Sequence, residues 1–131
     1  MNIQITFDGS KKINANINGH IVRTDQPVQA GGDNSAPAPY ELFLASIGTC
    51  AGIYVKSFCD QRGIPTDDIY IEQSMEWDRA AGKMSKMKLD IKLPVDFPEK
   101  YKESVIRTAE LCAVKKTIQD PPVFEVVTSQ I

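Results

Sequence analysis

Apolar and polar residues alternate from the start of the chain. Ile3, Ile5 and Phe7 stand two apart within residues 1–8, and Asp8-Gly9-Ser10 follows. This is the period-two signature of a half-buried strand closed by a turn. The alternation resumes through Ile13, Ala15 and Ile17, breaks at Gly19 and continues over residues 20–25. The pattern predicts a three-strand meander. Residues 26–39, QPVQAGGDNSAPAP, are rich in Gly, Pro, Asn and Ser and predict a loop. A loop of that length leans toward a functional role.

The period then changes. PYELFLASIGTC, from Pro39 to Cys50, opens a run that is apolar almost all round until Lys56. Pro39 suits a first helical position, and Glu41 falls in the first turn near the positive dipole end. Gly63 and Pro65 supply the stop, so a helix over 39–62, buried on most sides, is expected. Residues 68–78 and 84–94 alternate again around Ala80-Ala81-Gly82 and predict a hairpin with one wet face. Pro98 opens a second helix to Asp120, with Tyr101, Val105, Ala109 and Cys112 on one stripe. Asp120-Pro121-Pro122 ends it, and residues 123–129, VFEVVTS, read as a last strand. The order βββ-α-ββ-α-β means an α+β fold, and residues 1–131 read as a single domain.

Composition narrows the chemistry. A net charge of −2 leaves no electrostatic footprint for nucleic acid. No apolar run reads as long enough to span a bilayer, and the first residues lack a basic-then-apolar signal, so no membrane and a cytoplasmic setting are expected. Three cysteines at wide spacings, without a C-x-x-C pair, do not suit a disulfide scaffold. His20 is the single histidine, so no metal site is expected. A thiol pair used for redox work stays open.

At about 100° per residue, Cys50 shares a helix face with Phe43, Ser46, Ile47, Ile53, Tyr54 and Ser57. Gly48 and Gly52 fall opposite, with Glu41, Val55 and Cys59. Two interior glycines cost roughly 1 kcal/mol each relative to alanine, so their face predicts a groove where another backbone docks. Cys59, along that groove, reads as core filler, since free cysteine packs like a small hydrophobe. For Cys50, core packing and redox chemistry both remain open on periodicity alone. It lies about three turns into the helix, where dipole help has faded. A reactive thiol there needs a cation or donor from another segment.

Two stretches carry a resemblance. GGDNSAPAPYELFLASIGTC is similar to the pattern around the first cysteine of the OsmC/Ohr family of thiol peroxidases. CAVKKTI, from Cys112 to Ile118, resembles that family's second motif, Cys-Pro-Val-His-x-Thr-Leu. GHIVRTD also resembles a Gly-His…Asp segment of OsmC-like members. The resemblance implies an OsmC-like α+β protomer in an intertwined homodimer with long buried central helices. It also implies a peroxidatic Cys50, a resolving Cys112, organic hydroperoxides as substrates and no prosthetic group. An external dithiol, such as a lipoyl group, would return the disulfide to thiols. The family pairs a carboxylate ten residues before the first cysteine with an arginine in the first hairpin. Here Tyr40 holds that position, Glu41 follows it, and the hairpin offers Lys11 and Lys12. Ala113 and Lys115 replace the motif's proline and histidine. His20, Tyr40, Glu41 and Lys115 are therefore the candidate supporting residues. The expected function is a thiol-dependent peroxidase. The alternative is a dimer of the same fold that binds a hydrophobic or acyl ligand, or senses redox state, without turnover.

Overall fold

The computed structural model describes residues 1–131. The strands are β1 (Ile3–Phe7), β2 (Ile13–Ile17), β3 (His20–Thr24), β4 (Tyr70–Asp78) and β5 (Lys83–Lys92). The helices are α1 (Pro39–Asp60), α2 (Lys102–Ala109) and α3 (Ala113–Gln119). The fold is α+β, as the pattern predicts. The chain forms two compact units, Met1–Ala45 and Ser46–Ile131, with α1 contributing to both.

In the N-terminal unit, β1, β2 and β3 pair antiparallel in sequence order. Asn18 and Gly19, at φ 51° and 86°, join β2 to β3 in the two-residue turn that matches strand twist. The register sets Ile3 opposite Ile17, and Ile17 opposite His20. Ile3, Ile5, Phe7, Ile13, Ala15 and Ile17 therefore share one face. Along β1 that face is bare, with Phe7 84% exposed.

The long loop after β3 is tied around one carboxylate. Asp25 is fully buried. It accepts hydrogen bonds from Ser35 Oγ at 2.6 Å, Ser35 N at 3.0 Å, Gln26 N at 2.8 Å and Asp33 N at 3.3 Å. Lys12 Nζ pairs with Asp33 at 2.9 Å. The Ser35 hydroxyl and the backbone donors favour the ionised form and lower the Asp25 pKa from 3.8 to about 2. A depressed folded-state pKa contributes stability that is complete above the unfolded value and is lost as pH falls through the folded one. The contribution of Asp25 should therefore fade between pH 3.8 and about 2. Urea unfolding across that window should show a steeper loss for the native chain than for Asp25→Asn.

In the C-terminal unit, α1 buries Ile47, Ala51, Val55, Phe58 and Cys59, a stripe at helical spacing. Val55, Phe58 and Cys59 join Phe97 and Val105 in the core, with Ile71 and Ile91 of the β4–β5 hairpin packed against it. The glycine face of α1 docks on β4. A Cβ at Gly48 would lie 2.5 Å from Gln73 Oε1, and one at Gly52 would lie 3.9 Å from Ile71 Cδ1. Burial pushes the Cys59 thiol pKa up, with the Asp60 charge adding to it. Cys59→Ala should cost about 1 kcal/mol in packing and leave thiol oxidation elsewhere in the chain intact, as thermal melts and cysteine mapping would show.

Four expectations change. First, α1 ends at Asp60 rather than Arg62, and Gly63 follows at φ 64°. Second, α1 buries one stripe of side chains, not most of its surface. It is also 22 residues long, with a mean hydropathy of 1.5 over its most apolar window, enough to cross a membrane by length and composition. The expectation that no run reaches that length is corrected, although a core helix passes the same test. Third, the helix expected over 98–120 is broken. A 3-10 turn at Glu99–Tyr101 leads into α2, and the backbone leaves the helix before restarting at Ala113. Cys112, at φ −47° and ψ 118°, is the N-cap of α3. Fourth, residues 123–129 form no strand. Val123 and Phe124 are exposed, and the segment pairs with neither sheet.

Candidate active site

The break before α3 decides where the thiols go. An N-cap residue lies outside the helix with its side chain turned back toward the first free amides. Cys112 does this with sulfur, accepting from Lys115 N at 3.3 Å. Its Sγ also lies 3.8 Å from the Ile47 carbonyl on α1. Ile47 stands three residues before Cys50, so the same contact brings α1's own thiol to the start of α3. There the backbone amides of Val114 and Ala113 and the Cys112 thiol act on the Cys50 sulfur. All three cysteines are free. Cys50 is half-buried, whereas Cys112 and Cys59 are buried.

The electrostatics follow from these partners. The Val114 amide, the Cys112 thiol and the Ala113 amide lower the Cys50 pKa, against burial, which raises it. Donors aimed at the charged form favour a thiolate. The donor that Cys50 requires from another segment is therefore the backbone of α3, not a cation. No residue-type pattern marks these amides. The signal available was Ala113, which carries an N–H where a proline would carry none. Proline is well tolerated at a first helical position. Ala113→Pro should therefore fold, lose one donor to Cys50 and raise its pKa. The pH dependence of iodoacetamide alkylation would show the shift.

The supporting candidates lie elsewhere or act differently. Glu41 Oε2 accepts from Ala38 N at 2.8 Å. This is the reciprocal half of a capping box, and it fixes the start of α1. Tyr40 stacks on Phe43 with ring centroids 5.8 Å apart. His20 opens β3 and is exposed. Lys12 is engaged with Asp33. Lys115 contributes its backbone amide to Cys112. The structure thus brings Cys50, Cys112 and Lys115 together within the C-terminal unit, and sets His20, Tyr40 and Glu41 in the N-terminal one. No group of three or more His, Cys, Asp or Glu side chains could hold a metal ion.

The sequence profile of the OsmC-like protein family matches residues 32–127, which include both thiols. The chain belongs to this family. No curated protein matches the OsmC-like chain in sequence. Solved structures do match its fold. A candidate osmotic stress-induced and detoxification response protein of Psychrobacter arcticus is similar at a TM-score of 0.72 and 20% identity, over 88% of this chain and 85% of that one. An OsmC-like protein of Mycoplasma pneumoniae is similar at 0.69 and 12% identity, over 92% and 87%. The organic hydroperoxide resistance protein OhrB of Bacillus subtilis is similar at 0.52 and 20% identity, over 89% and 90%.

Proposed function

We propose that this OsmC-like chain is a thiol peroxidase that reduces organic hydroperoxides through Cys50 and Cys112. The contact between a half-buried Cys50, held toward its thiolate, and the Cys112 thiol carries the reading. The name of the similar B. subtilis protein, organic hydroperoxide resistance, points to the same substrate class. The Cys50 thiolate attacks the peroxide, the O–O bond breaks, and the leaving alkoxide takes a proton to become an alcohol. Cys50 is then a sulfenic acid. The Cys112 thiol attacks that sulfur, water leaves, and a disulfide forms. Two electrons from an external dithiol complete the cycle, with no prosthetic group.

One equivalent of cumene hydroperoxide, followed by mass mapping, should give a Cys50–Cys112 disulfide that a dithiol reverses. Retention of both free thiols would remove the reading and leave ligand binding or redox sensing as the use of the fold.

The proposal includes a homodimer in a reducing cytoplasm, a setting that suits free cysteines. The chain exposes 10143 Å² at 14.5 kDa, whereas a closed monomer of that mass exposes about 6900 Å². Light scattering at micromolar concentration should give twice the chain mass.

A further inference from the structure

Attack of a thiolate on a hydroperoxide releases an alkoxide, and that alkoxide needs a proton from a neighbour. Three groups act on the Cys50 sulfur: the Val114 amide, the Ala113 amide and the Cys112 thiol. A backbone amide donates a hydrogen bond but keeps its proton, whereas a thiol can give its proton up. Cys112 is held in place for this. Its Sγ lies 3.3 Å from Lys115 N, which donates to it, and 3.8 Å from the Ile47 carbonyl, which accepts. It is 1% exposed, whereas Cys50 is half-buried. Peroxide therefore meets Cys50, and bulk water hardly reaches Cys112. Loss of the Cys112 proton to water would leave a new charge on a buried sulfur, which is costly. Transfer to an anion formed beside it would not.

We propose that Cys112 is the general acid of the peroxide step, giving its thiol proton to the alkoxide that leaves as Cys50 attacks, before it acts as the resolving thiol. The proposal rests on the disulfide cycle above and supplies the proton that the cycle requires. The Cys50 sulfur bonds to the terminal oxygen of the hydroperoxide. The O–O bond breaks, and its electron pair leaves on the alkoxy oxygen. The proton of Cys112 moves to that oxygen. The products are a sulfenic acid on Cys50, an alcohol and a thiolate on Cys112. One negative charge enters the step on Cys50 and leaves it on Cys112, so the pair gains no charge. The Lys115 amide already donates to the sulfur that receives this charge, and a donor aimed at a charged form favours it. A thiolate, not a thiol, is the nucleophile that closes a disulfide. The same transfer therefore completes the alcohol and arms Cys112, which attacks the Cys50 sulfur. Hydroxide leaves and takes a proton from solvent as water.

Cys112→Ser tests the transfer. Serine is a preferred N-cap, so the variant keeps the start of α3 and loses the acidity of a thiol. Two oxidants separate the roles. Cumene hydroperoxide releases an alkoxide that must be protonated, whereas peracetic acid releases acetate, a weak base that leaves without a proton. The rate at which Cys50 loses its free thiol is followed by quenching and peptide mass for each oxidant, in the native chain and in the variant. With cumene hydroperoxide the variant should react about a hundredfold more slowly, the low end of general acid catalysis, and still reach one equivalent. With peracetic acid it should keep the native rate, apart from any change in the Cys50 thiolate fraction. Such a change alters both rates alike, so the ratio of the two reads proton donation alone. A ratio equal to that of the native chain would overturn the proposal and leave water as the donor. Failure of cumene hydroperoxide to oxidise Cys50 in the native chain would remove the peroxidase reading, and the proton transfer with it.

Discussion

Cys50→Ser abolishes hydroperoxide consumption, and Cys112→Ser stops it after one equivalent. These are the expected results for a pair in which one thiol is held toward its thiolate by its surroundings and the other resolves. A serine hydroxyl at 50 would accept the same amides of Val114 and Ala113. It would nevertheless lack the thiol, and a hydroxyl is far harder to ionise. The rate should fall to that of buffer. In Cys112→Ser, Cys50 keeps both backbone donors and loses the thiol that closes the disulfide. A sulfenic acid should persist there, open to dimedone and to further oxidation. Cumene hydroperoxide consumption and intact mass distinguish the cases. Full turnover in Cys112→Ser with a monothiol absent would show that another group resolves the sulfenate. Loss of the first oxidation in that variant would show that Cys112 is the thiol attacked by peroxide.

Gly32→Ala should collapse the loop that precedes α1. A Cβ at Gly32 would lie 2.0 Å from the Gln26 carbonyl oxygen and 2.8 Å from Asp25 Oδ1. The first obstacle is backbone, held by Asn34 N donating to that same oxygen at 3.0 Å. The second is the carboxylate on which the loop is tied. Neither can retreat without breaking hydrogen bonds, so a cost of about 3 kcal/mol or more is expected, at the upper end of overpacking effects. Gly31→Ala makes the contrast. Gly31 has φ 88°, and its nearest obstacle is Lys11 Cε at 3.5 Å. The cost there should be backbone strain alone, about 1 kcal/mol. Limited proteolysis within residues 25–38 and urea midpoints would read both. A Gly32→Ala protein as stable as Gly31→Ala would mean that the loop can rearrange around Asp25.

Much of the local structure was legible because it rests on short-range rules. Period-two alternation located β1 to β5, since each strand has one apolar face whatever it packs against. Pro39, Glu41 and Gly63 marked α1 to within two residues, because capping and left-handed termination are properties of neighbouring residues. The motifs around Cys50 and Cys112 singled out both thiols through family resemblance. Periodicity alone could not choose between chemistry and core for Cys50, since half-buried cysteine suits either.

Tertiary structure decided three further matters. The apolar stripe from Tyr101 to Cys112 keeps helical spacing across the break, so the pattern could not show that the backbone leaves the helix there. Cys112 becomes an N-cap only because the chain restarts at Ala113, and that restart aims amides at Cys50. Backbone donors have no residue type, so a search for an activating side chain turned instead to His20, Glu41 and Lys115. Residues 123–129 have a strand's alternation but use no pairing edge in their own chain, and strand formation needs a partner as well as a pattern. The sequence by itself located β1 to β5, the start of α1 and the two thiols, all matters of neighbouring residues. Only the tertiary structure decided which groups surround those thiols, because that depends on segments more than sixty residues apart, from Ile47 to Cys112.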